Sequence, residues 1–352
     1  MRSWTKVPGP SVVGIKIKTG GRGGIRTPGG LSSTTVFKTA AFNRSATLPL
    51  PRHTRRRCSR IRRKRAAGKH ADAGLPATPC LVYIEYSKDG KMIHVCLCAD
   101  EHYAAPMAVT VASVLANASQ NDDYTFHIME SGFTQEIKEK ICLLKNIKDC
   151  TIDFYSVDTS IFEKYRIISA HITHAAYYRL MIPTLLRDID KVLYLDCDII
   201  AVTDIKELFN MNVMNCFVIA KKDVLSGGSI LRLNLPPLRF YFNSGVMLLN
   251  LKEIRAENIE KKLFEYAENP PYKERFEDQD VLNYAFQAKV KLLPAQWNFR
   301  PDDEGQYNII HFLGPEKPWK SDTVKFQEYF WQFARLTPFY AELHNGLREE
   351  MS

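Results

Sequence analysis

The chain has 352 residues, of which 45% are hydrophobic and 25% charged, a composition typical of a soluble globular protein with one large or two ordinary domains. No apolar run approaches the ~18 residues of a membrane-spanning helix, and the N-terminus lacks the continuous apolar core of a signal peptide. The net charge of +9 is uneven: residues 1–91 contain 20 of the 48 Lys and Arg and 3 of the 39 Asp and Glu, a balance of +17, which leaves −8 for residues 92–352.

The basic character therefore belongs to residues 1–91, which are rich in Gly, Ser and Thr and include the cationic run "RHTRRRCSRIRRKRAAGKH". Such a composition cannot bury enough apolar surface to fold alone. One interpretation is an arm that binds nucleic acid or an anionic membrane. We favour a disordered or non-native extension, because Met92 directly precedes a strand-like run and is a plausible initiator.

From Met92 onward, short apolar runs alternate with longer amphipathic ones. The pattern predicts strands at 93–100, 124–131, 150–157 and 191–202, and helices at 105–118 and 134–147. This alternation predicts an α/β fold, in which a mixed, mostly parallel sheet is flanked by helices. The ligand crevice of such a sheet lies beyond the carboxyl ends of its strands, where Asp100, Asp196 and Asp198 fall.

Two acidic residues, Asp196 and Asp198, lie inside the apolar run "KVLYLDCDIIAV", residues 191–202. In a continuous strand, side chains two residues apart share a face, so the carboxylates would converge on one point. A divalent cation such as Mg²⁺ or Mn²⁺ would relieve their repulsion. The alternative is a solvated strand end with two acids by chance. The apolar flanks favour the metal site, because they bury the strand.

A histidine and a lysine lie close together in "IIHFLGPEKPW", residues 309–319. His311 follows an apolar pair and would supply an imidazole ligand to a metal. Gly314 permits a close backbone approach, and Lys317 offers a compact cation for a phosphate oxygen. The alternative is a turn with a buried histidine and an exposed lysine, which is the simpler reading of either residue alone.

An Asn-Ser-Gly sequence separates an aromatic pair from an apolar strand in "YFNSGVMLLNL", residues 241–251. Asn243 and Ser244 would bond sugar hydroxyls, and Gly245 would keep the wall of the site close. The alternative is a tight bend that enters a strand.

A cluster of polar residues precedes a helix-like run in "FEDQDVLNYAF", residues 276–286. Asp278 and Gln279 would lie at the reacting sugar. The alternative is that Asp278 or Asp280 caps the helix.

Taken together and in this order, the four clusters resemble those of glycosyltransferase family 8, which includes bacterial lipopolysaccharide galactosyl- and glucosyltransferases and, more distantly, glycogenin. The resemblance covers about residues 92–335. It implies a GT-A (Rossmann-like) fold in a single catalytic domain, with residues 336–352 as a short C-terminal tail. It also implies a UDP-glucose or UDP-galactose donor, dependence on Mn²⁺ (or Mg²⁺), and retention at the anomeric carbon.

The same resemblance assigns residues to the donor. The stretch "CLCADEHYA" looks like the family's uridine-binding start and places Cys98, Asp100 and Tyr103 near the base and ribose. His102 stands where close relatives often have Asn. "HAAYYRLMIP" resembles the family's tyrosine–arginine helix and places Arg179 near the sugar and its leaving diphosphate. The alternative for this arginine is a helix surface charge paired with an acid.

Three further groups of site residues follow from the resemblance. The metal ligands are Asp196, Asp198 and His311; the sugar-binding residues are Asn243, Ser244, Gly245, Asp278 and Gln279; and the diphosphate-binding residues are Gly314 and Lys317. The catalytic residues among them are predicted to be Gln279 and Asp278, together with Arg179.

The family resemblance predicts a hexosyltransferase that acts on a glycan or glycolipid acceptor such as lipopolysaccharide core, with no nucleic-acid partner. Its expected location is the cytoplasm, either free or at the inner face of the cytoplasmic membrane. Three alternatives stay open: a glycogenin-like self-glucosylating enzyme, a nucleotidyltransferase that also uses paired aspartates, and a nucleic-acid-binding protein with a basic arm. Eight cysteines without C-x-x-C spacing predict reduced thiols rather than a zinc site.

Overall fold

The computed structural model describes residues 92–169, 172–224, 228–236, 240–273, 275–287 and 289–350. The predictions for residues 1–91 lie outside these ranges. The strands are β1 (Met92–Asp100), β2 (Asp123–Ser131), β3 (Thr151–Ser156), β4 (Lys191–Leu195), β5 (Ile199–Ala201), β6 (Val218–Lys222), β7 (Phe242–Asn250), β8 (Val290–Leu292) and β9 (Ile309–His311).

The α-helices lie between and after these strands. They are α1 (Ala104–Asn117), α2 (Gln135–Cys142), α3 (Ile182–Leu185), α4 (Lys206–Phe209), α5 (Ser229–Arg232), α6 (Leu251–Ala256), α7 (Ile259–Glu268), α8 (Glu277–Phe286), α9 (Gln327–Ala334) and α10 (Tyr340–Glu350). Short 3₁₀ segments supplement them, including His174–Met181, which leads directly into α3. In the described part of the chain, no helix is both long and apolar enough to cross a membrane.

Seven strands form the main sheet in the order β3-β2-β1-β4-β7-β6-β8. Strand β1 is parallel to β2 and β4, β2 is parallel to β3, and β6 is parallel to β8. Strand β7 runs antiparallel to both of its neighbours, β4 and β6. The predicted mixed, mostly parallel sheet is therefore confirmed.

The two faces of the sheet bury separate cores, because alternate side chains of a strand point in opposite directions. From β1, Val95 and Leu97 pack on the face that α1 covers, whereas Cys96 and Cys98 pack on the other. The small side chains Ala108 and Ala112 of α1 are fully buried, which lets this helix lie close against the sheet.

The predicted continuous strand at 191–202 is wrong. Strand β4 ends at Leu195, and β5 begins at Ile199 in a separate two-stranded sheet with β9. Buried Thr110 of α1 stabilises the intervening turn, because its hydroxyl lies 3.1 Å from the carbonyl oxygen of Cys197 and 2.8 Å from that of Ile199. The two aspartates therefore lie in a turn, and their convergence does not come from the strand period.

Candidate active site

The turn between β4 and β5 brings three predicted metal ligands together. Strand β5 pairs antiparallel with β9 in a register that sets Ile199 opposite His311. The Asp196 N–H donates to the carbonyl of Gly245 at 2.9 Å, which ties the turn to β7 as well. Ligand atoms of Asp196, Asp198 and His311 all lie within 4.8 Å of one another. His311 Nε2 is 3.3 Å from Asp198 Oδ1 and 3.7 Å from Asp196 Oδ2.

The unsatisfied atoms of this cluster fit a divalent cation. Among the described residues, Asp198 Oδ1 and His311 Nε2 are buried polar atoms without a hydrogen-bond partner. Buried polar atoms are rarely left in this state, and these two face each other. Carboxylate oxygens and an imidazole nitrogen are ligands suited to Mn²⁺. We call Asp196, Asp198 and His311 the metal-ligand cluster.

A glycine keeps the metal-ligand cluster compact. A Cβ atom on Gly245 would lie 2.2 Å from His311 Cε1 and 2.9 Å from Asp196 Oδ2. Since carbon atoms pack at about 3.5–4 Å, any side chain at this position would displace the histidine. The sequence predicted that Gly245 keeps the wall of the sugar site close. In the structure, the atoms closest to this glycine belong to His311 and Asp196 of the metal-ligand cluster.

Lys317 lies beside the same cluster. Its ammonium donates at 2.6 Å to Asp198 Oδ2 and at 2.6 Å to the carbonyl of Phe312. Burial alone would raise the pKa of Asp198, but the charge of Lys317 and the neighbouring His311 outweigh burial and hold it well below its usual range. Between His311 and Lys317 the chain turns through Gly314, whose φ of +87° favours glycine.

Arg179 connects the metal-ligand cluster to the start of α8. Its Nη2 is 2.8 Å from Asp196 Oδ1, and its Nε is 3.2 Å from Asp278 Oδ2. Its Nη1 donates at 3.1 Å to both the carbonyl and the hydroxyl oxygen of Ser244. The guanidinium is buried and lies 4.5 Å from the centre of the Tyr194 ring. The alternative of a helix surface charge paired with an acid is therefore wrong about the surface, whereas the pairing with acids is observed.

The predicted sugar-binding residues contact one another across β7 and α8. Gln279 Oε1 accepts from the Ser244 N–H at 2.9 Å and from Asn243 Nδ2 at 3.2 Å. Asp278 Oδ2 is 3.4 Å from the Ser244 hydroxyl. Burial raises the pKa of Asp278 to about 7, although the positive charge of Arg179 opposes this rise.

Asp280 differs from Asp278 and Gln279, because both oxygens of its carboxylate accept hydrogen bonds that hold a loop. It is completely buried and accepts one bond of 2.7 Å from each Nη of Arg232 and another of 2.7 Å from the Tyr241 hydroxyl. The backbone N–H groups of Arg275 and Phe276 donate to it as well. Asp280 therefore holds the loop before α8, a role close to the capping alternative.

The three predicted uridine-binding residues lie at the carboxyl end of β1. Asp100 caps the following turn by accepting from the Tyr103 N–H, and it accepts from the Thr173 hydroxyl at 2.7 Å. Tyr103 stacks edge-on against Trp319 at 6.0 Å. Cys98 is buried, and its carbonyl oxygen accepts at 3.2 Å from the thiol of Cys197, which lies in the turn between β4 and β5.

Three residues of the site were absent from the sequence predictions. The Tyr194 hydroxyl donates to Asp196 Oδ1 at 2.7 Å, and Asp223 accepts from Gln279 Nε2 at 3.3 Å. Asn298 lies between Asn243 and His311. A signal existed for Tyr194, which precedes Asp196 by two residues, whereas Asn298 and Asp223 belong to no recognisable motif.

A cavity of about 460 Å³ lies beside Asp223, which accepts a hydrogen bond from Gln279. Its described lining consists of Lys222, Asp223, Val224, Gly228, Ile230, Leu231 and Tyr241. Because Asp223 both lines the cavity and contacts Gln279, the cavity adjoins the predicted reaction centre.

Comparisons with known proteins agree with this geometry. The family model described as Glycosyl transferase family 8 matches residues 94–323. General stress protein A of Bacillus subtilis is 30% identical over 66% of this chain and 89% of its own length. Lipopolysaccharide 1,3-galactosyltransferase of Salmonella typhimurium is 28% identical over 73% of this chain and 82% of its own. The galactosyltransferase LgtC, solved with donor and acceptor sugar analogs, aligns with a TM-score of 0.64 and 27% identity, over 70% of this chain and 96% of that chain.

Proposed function

Since the chain belongs to glycosyltransferase family 8, we propose that it is a retaining hexosyltransferase that takes glucose or galactose from a UDP-sugar. The acceptor we propose is a glycan or glycolipid such as lipopolysaccharide core, because a relative is named as a lipopolysaccharide galactosyltransferase. The observation that carries the proposal is the metal-ligand cluster, whose buried atoms lack partners and lie beside Lys317 and Arg179.

The diphosphate end of the donor would lie over this cluster. A divalent cation held by Asp196, Asp198 and His311 would supply stabilisation of the negative charge on the departing UDP. Lys317 adds a positive charge at the same place and would exchange its contact with Asp198 for one with a phosphate oxygen. The uridine would extend toward Cys98, Asp100 and Tyr103 at the carboxyl end of β1.

The sugar would lie between the cluster and α8. Asp278 would accept hydrogen bonds from sugar hydroxyls and fix their orientation, and Arg179 keeps its carboxylate in place. Gln279 would present its amide to the anomeric centre from a position fixed by the Ser244 N–H. The acceptor would enter through the cavity beside Asp223, so its hydroxyl would approach near Gln279.

Retention of configuration requires either a covalent intermediate or attack of the acceptor on the same face that the diphosphate leaves, and we favour the second route. An amide oxygen is a weak nucleophile, so Gln279 is poorly suited to a covalent intermediate. Asp280 is equally unsuited, because Arg232, Tyr241 and two backbone N–H groups occupy its oxygens. The departing phosphate would then take the proton of the acceptor hydroxyl. Trapping a stable glycosyl adduct on any side chain would contradict this pathway.

The experiment is Mn²⁺-dependent hydrolysis of a panel of UDP-sugars, with UDP-glucose and UDP-galactose compared directly. A protein that begins at Met92 is tested beside the full chain. We expect equal turnover from both, because every proposed site residue lies after Met92. If neither form binds or hydrolyses any UDP-sugar, the proposal is wrong. If only the full chain functions, residues 1–91 contribute and the basic-arm alternative gains support.

A further inference from the structure

A continuous line of side-chain hydrogen bonds runs from the metal-ligand cluster to Asp223. His311 Nδ1 is 2.9 Å from Asn298 Oδ1, and Asn298 Nδ2 donates to Asn243 Oδ1 at 2.9 Å. Asn243 Nδ2 donates to Gln279 Oε1 at 3.2 Å, and Gln279 Nε2 donates to Asp223 Oδ2 at 3.3 Å. Every amide in this line therefore donates in the same direction.

Backbone groups fix the direction of the line. The Gly245 N–H donates to Asn243 Oδ1, and the Ser244 N–H donates to Gln279 Oε1, so neither amide can reverse without losing a bond. Asn298 must then turn its NH₂ group toward Asn243 and its oxygen toward His311. An amide oxygen only accepts, so the hydrogen of the neutral His311 ring resides on Nδ1. Nε2 is left with a free lone pair directed at the two aspartates.

Asn298 itself is held rigidly. It is 1% exposed, and its backbone carbonyl accepts from Lys221 Nζ at 2.8 Å. The next residue, Phe299, accepts from the His311 N–H at 2.8 Å, which fixes Asn298 opposite the imidazole. Its side chain contacts His311 and Asn243 but belongs neither to the metal ligands nor to the sugar-binding residues, so it acts through those two side chains.

We propose that Asn298 is a positioning residue with two outputs: it selects the His311 tautomer that can bind a divalent cation, and through Asn243 it orients the Gln279 amide. The first output is a property of the metal-free protein and does not depend on the proposed transferase function. The second rests on the proposed transferase function. Partners of metal-binding histidines typically change metal affinity by about 10–100-fold when they are removed.

Two substitutions separate the outputs. Asn298→Leu has a similar shape and removes both hydrogen bonds. Asn298→Asp still accepts from His311 Nδ1, but it places a carboxylate oxygen against Asn243 Oδ1, where a donor is needed. Asn250→Ala is the matched control, because this amide is also buried but caps α6 through the Glu253 N–H and bonds Val213.

The first measurement is the ¹⁵N chemical shifts of the His311 ring in metal-free protein at pH 8, followed by titration with Mn²⁺ alone. We expect hydrogen on Nδ1 in the wild type, in Asn298→Asp and in Asn250→Ala, and hydrogen on Nε2 in a substantial fraction of Asn298→Leu. Mn²⁺ affinity should fall about 10–100-fold in Asn298→Leu and by less than about threefold in the other two. A wild-type tautomer and affinity in Asn298→Leu would overturn the first output.

The second measurement is UDP-sugar turnover. Asn298→Asp should lose about tenfold or more in kcat with little change in donor KM, because the bond from Asn243 that helps to orient the Gln279 amide is disturbed while the metal site is intact. Wild-type kcat in Asn298→Asp would overturn the second output. If Asn298→Leu does not fold, the wild-type ring tests the first output, because hydrogen on His311 Nε2 in the wild type would overturn it. Absence of turnover in the wild type would instead count against the proposed function. It would leave the first output intact, because the His311 tautomer is measured without donor or metal.

Discussion

Replacing Gly245 with alanine should separate His311 from the two aspartates of the metal-ligand cluster. The new methyl group would lie 2.2 Å from His311 Cε1 and 2.9 Å from Nδ1 of the same ring. Ordinary carbon contacts begin near 3.4 Å, so the imidazole must withdraw by roughly 1.2 Å or β7 must shift away from it. Both movements also disturb the bond between His311 Nδ1 and Asn298, which is 2.9 Å long.

The size of the effect follows from the rigidity of the surroundings. His311 is completely buried in β9, and its backbone N–H bonds Phe299, so the ring has little room to yield. Overpacking of this kind costs about 1–3 kcal/mol of the free energy of unfolding. A displacement of about 1 Å at a reaction centre reduces turnover about 100-fold. Loss of the hydrogen bond between His311 and Asn298 would weaken metal binding by about 10–100-fold, as is typical when a metal-binding histidine loses its partner.

The assay is calorimetric titration of Gly245→Ala with Mn²⁺, together with hydrolysis of the best UDP-sugar. Gly346→Ala is the control, because a methyl group there meets no atom within 4 Å and lies in helix α10. Alanine should stabilise that helix by about 0.5–1 kcal/mol and leave Mn²⁺ affinity unchanged. Wild-type affinity and turnover in Gly245→Ala would refute the claim that this glycine is required by the histidine beside it.

Asp198→Asn should abolish Mn²⁺-dependent turnover and lower the free energy of unfolding by about 1–3 kcal/mol in chemical denaturation, because Lys317 loses a charged partner; an unchanged stability would show that the pair contributes nothing to the fold. Arg232→Ala should destabilise by about 3–5 kcal/mol, since it leaves Asp280 buried without its cation, and Asp280→Asn in the same chain should recover part of the loss. Burial lowers the pKa of His127 from 6.5 to about 4, so between these values the unfolded chain binds a proton that the folded chain does not. Stability should therefore fall as the pH drops from 6.5 to 4, by about 3 kcal/mol more in the wild type than in His127→Gln; parallel pH profiles for the two proteins would contradict this.

The sequence was sufficient to predict the strand–helix alternation and to select the candidate site residues. Runs such as "IHVCLCAD" are short and apolar, as buried strands are, and this composition is a local property of the chain. The combination of two nearby aspartates with a distant histidine and lysine was recognisable because it resembles the motifs of glycosyltransferase family 8. These residues do lie together in the structure.

Other features depended on contacts between residues far apart in the sequence. The turn between β4 and β5, through which the paired carboxylates converge, is held by hydrogen bonds from Thr110, which lies far away in the sequence. Asn298 has no motif around it, because its role comes only from lying between Asn243 and His311. A single sequence shows which side chains carry charge or can ligate, since those are properties of one residue. Hydrogen-bond direction, tautomer and close approach are properties of pairs, and only the tertiary structure decides which residues become pairs.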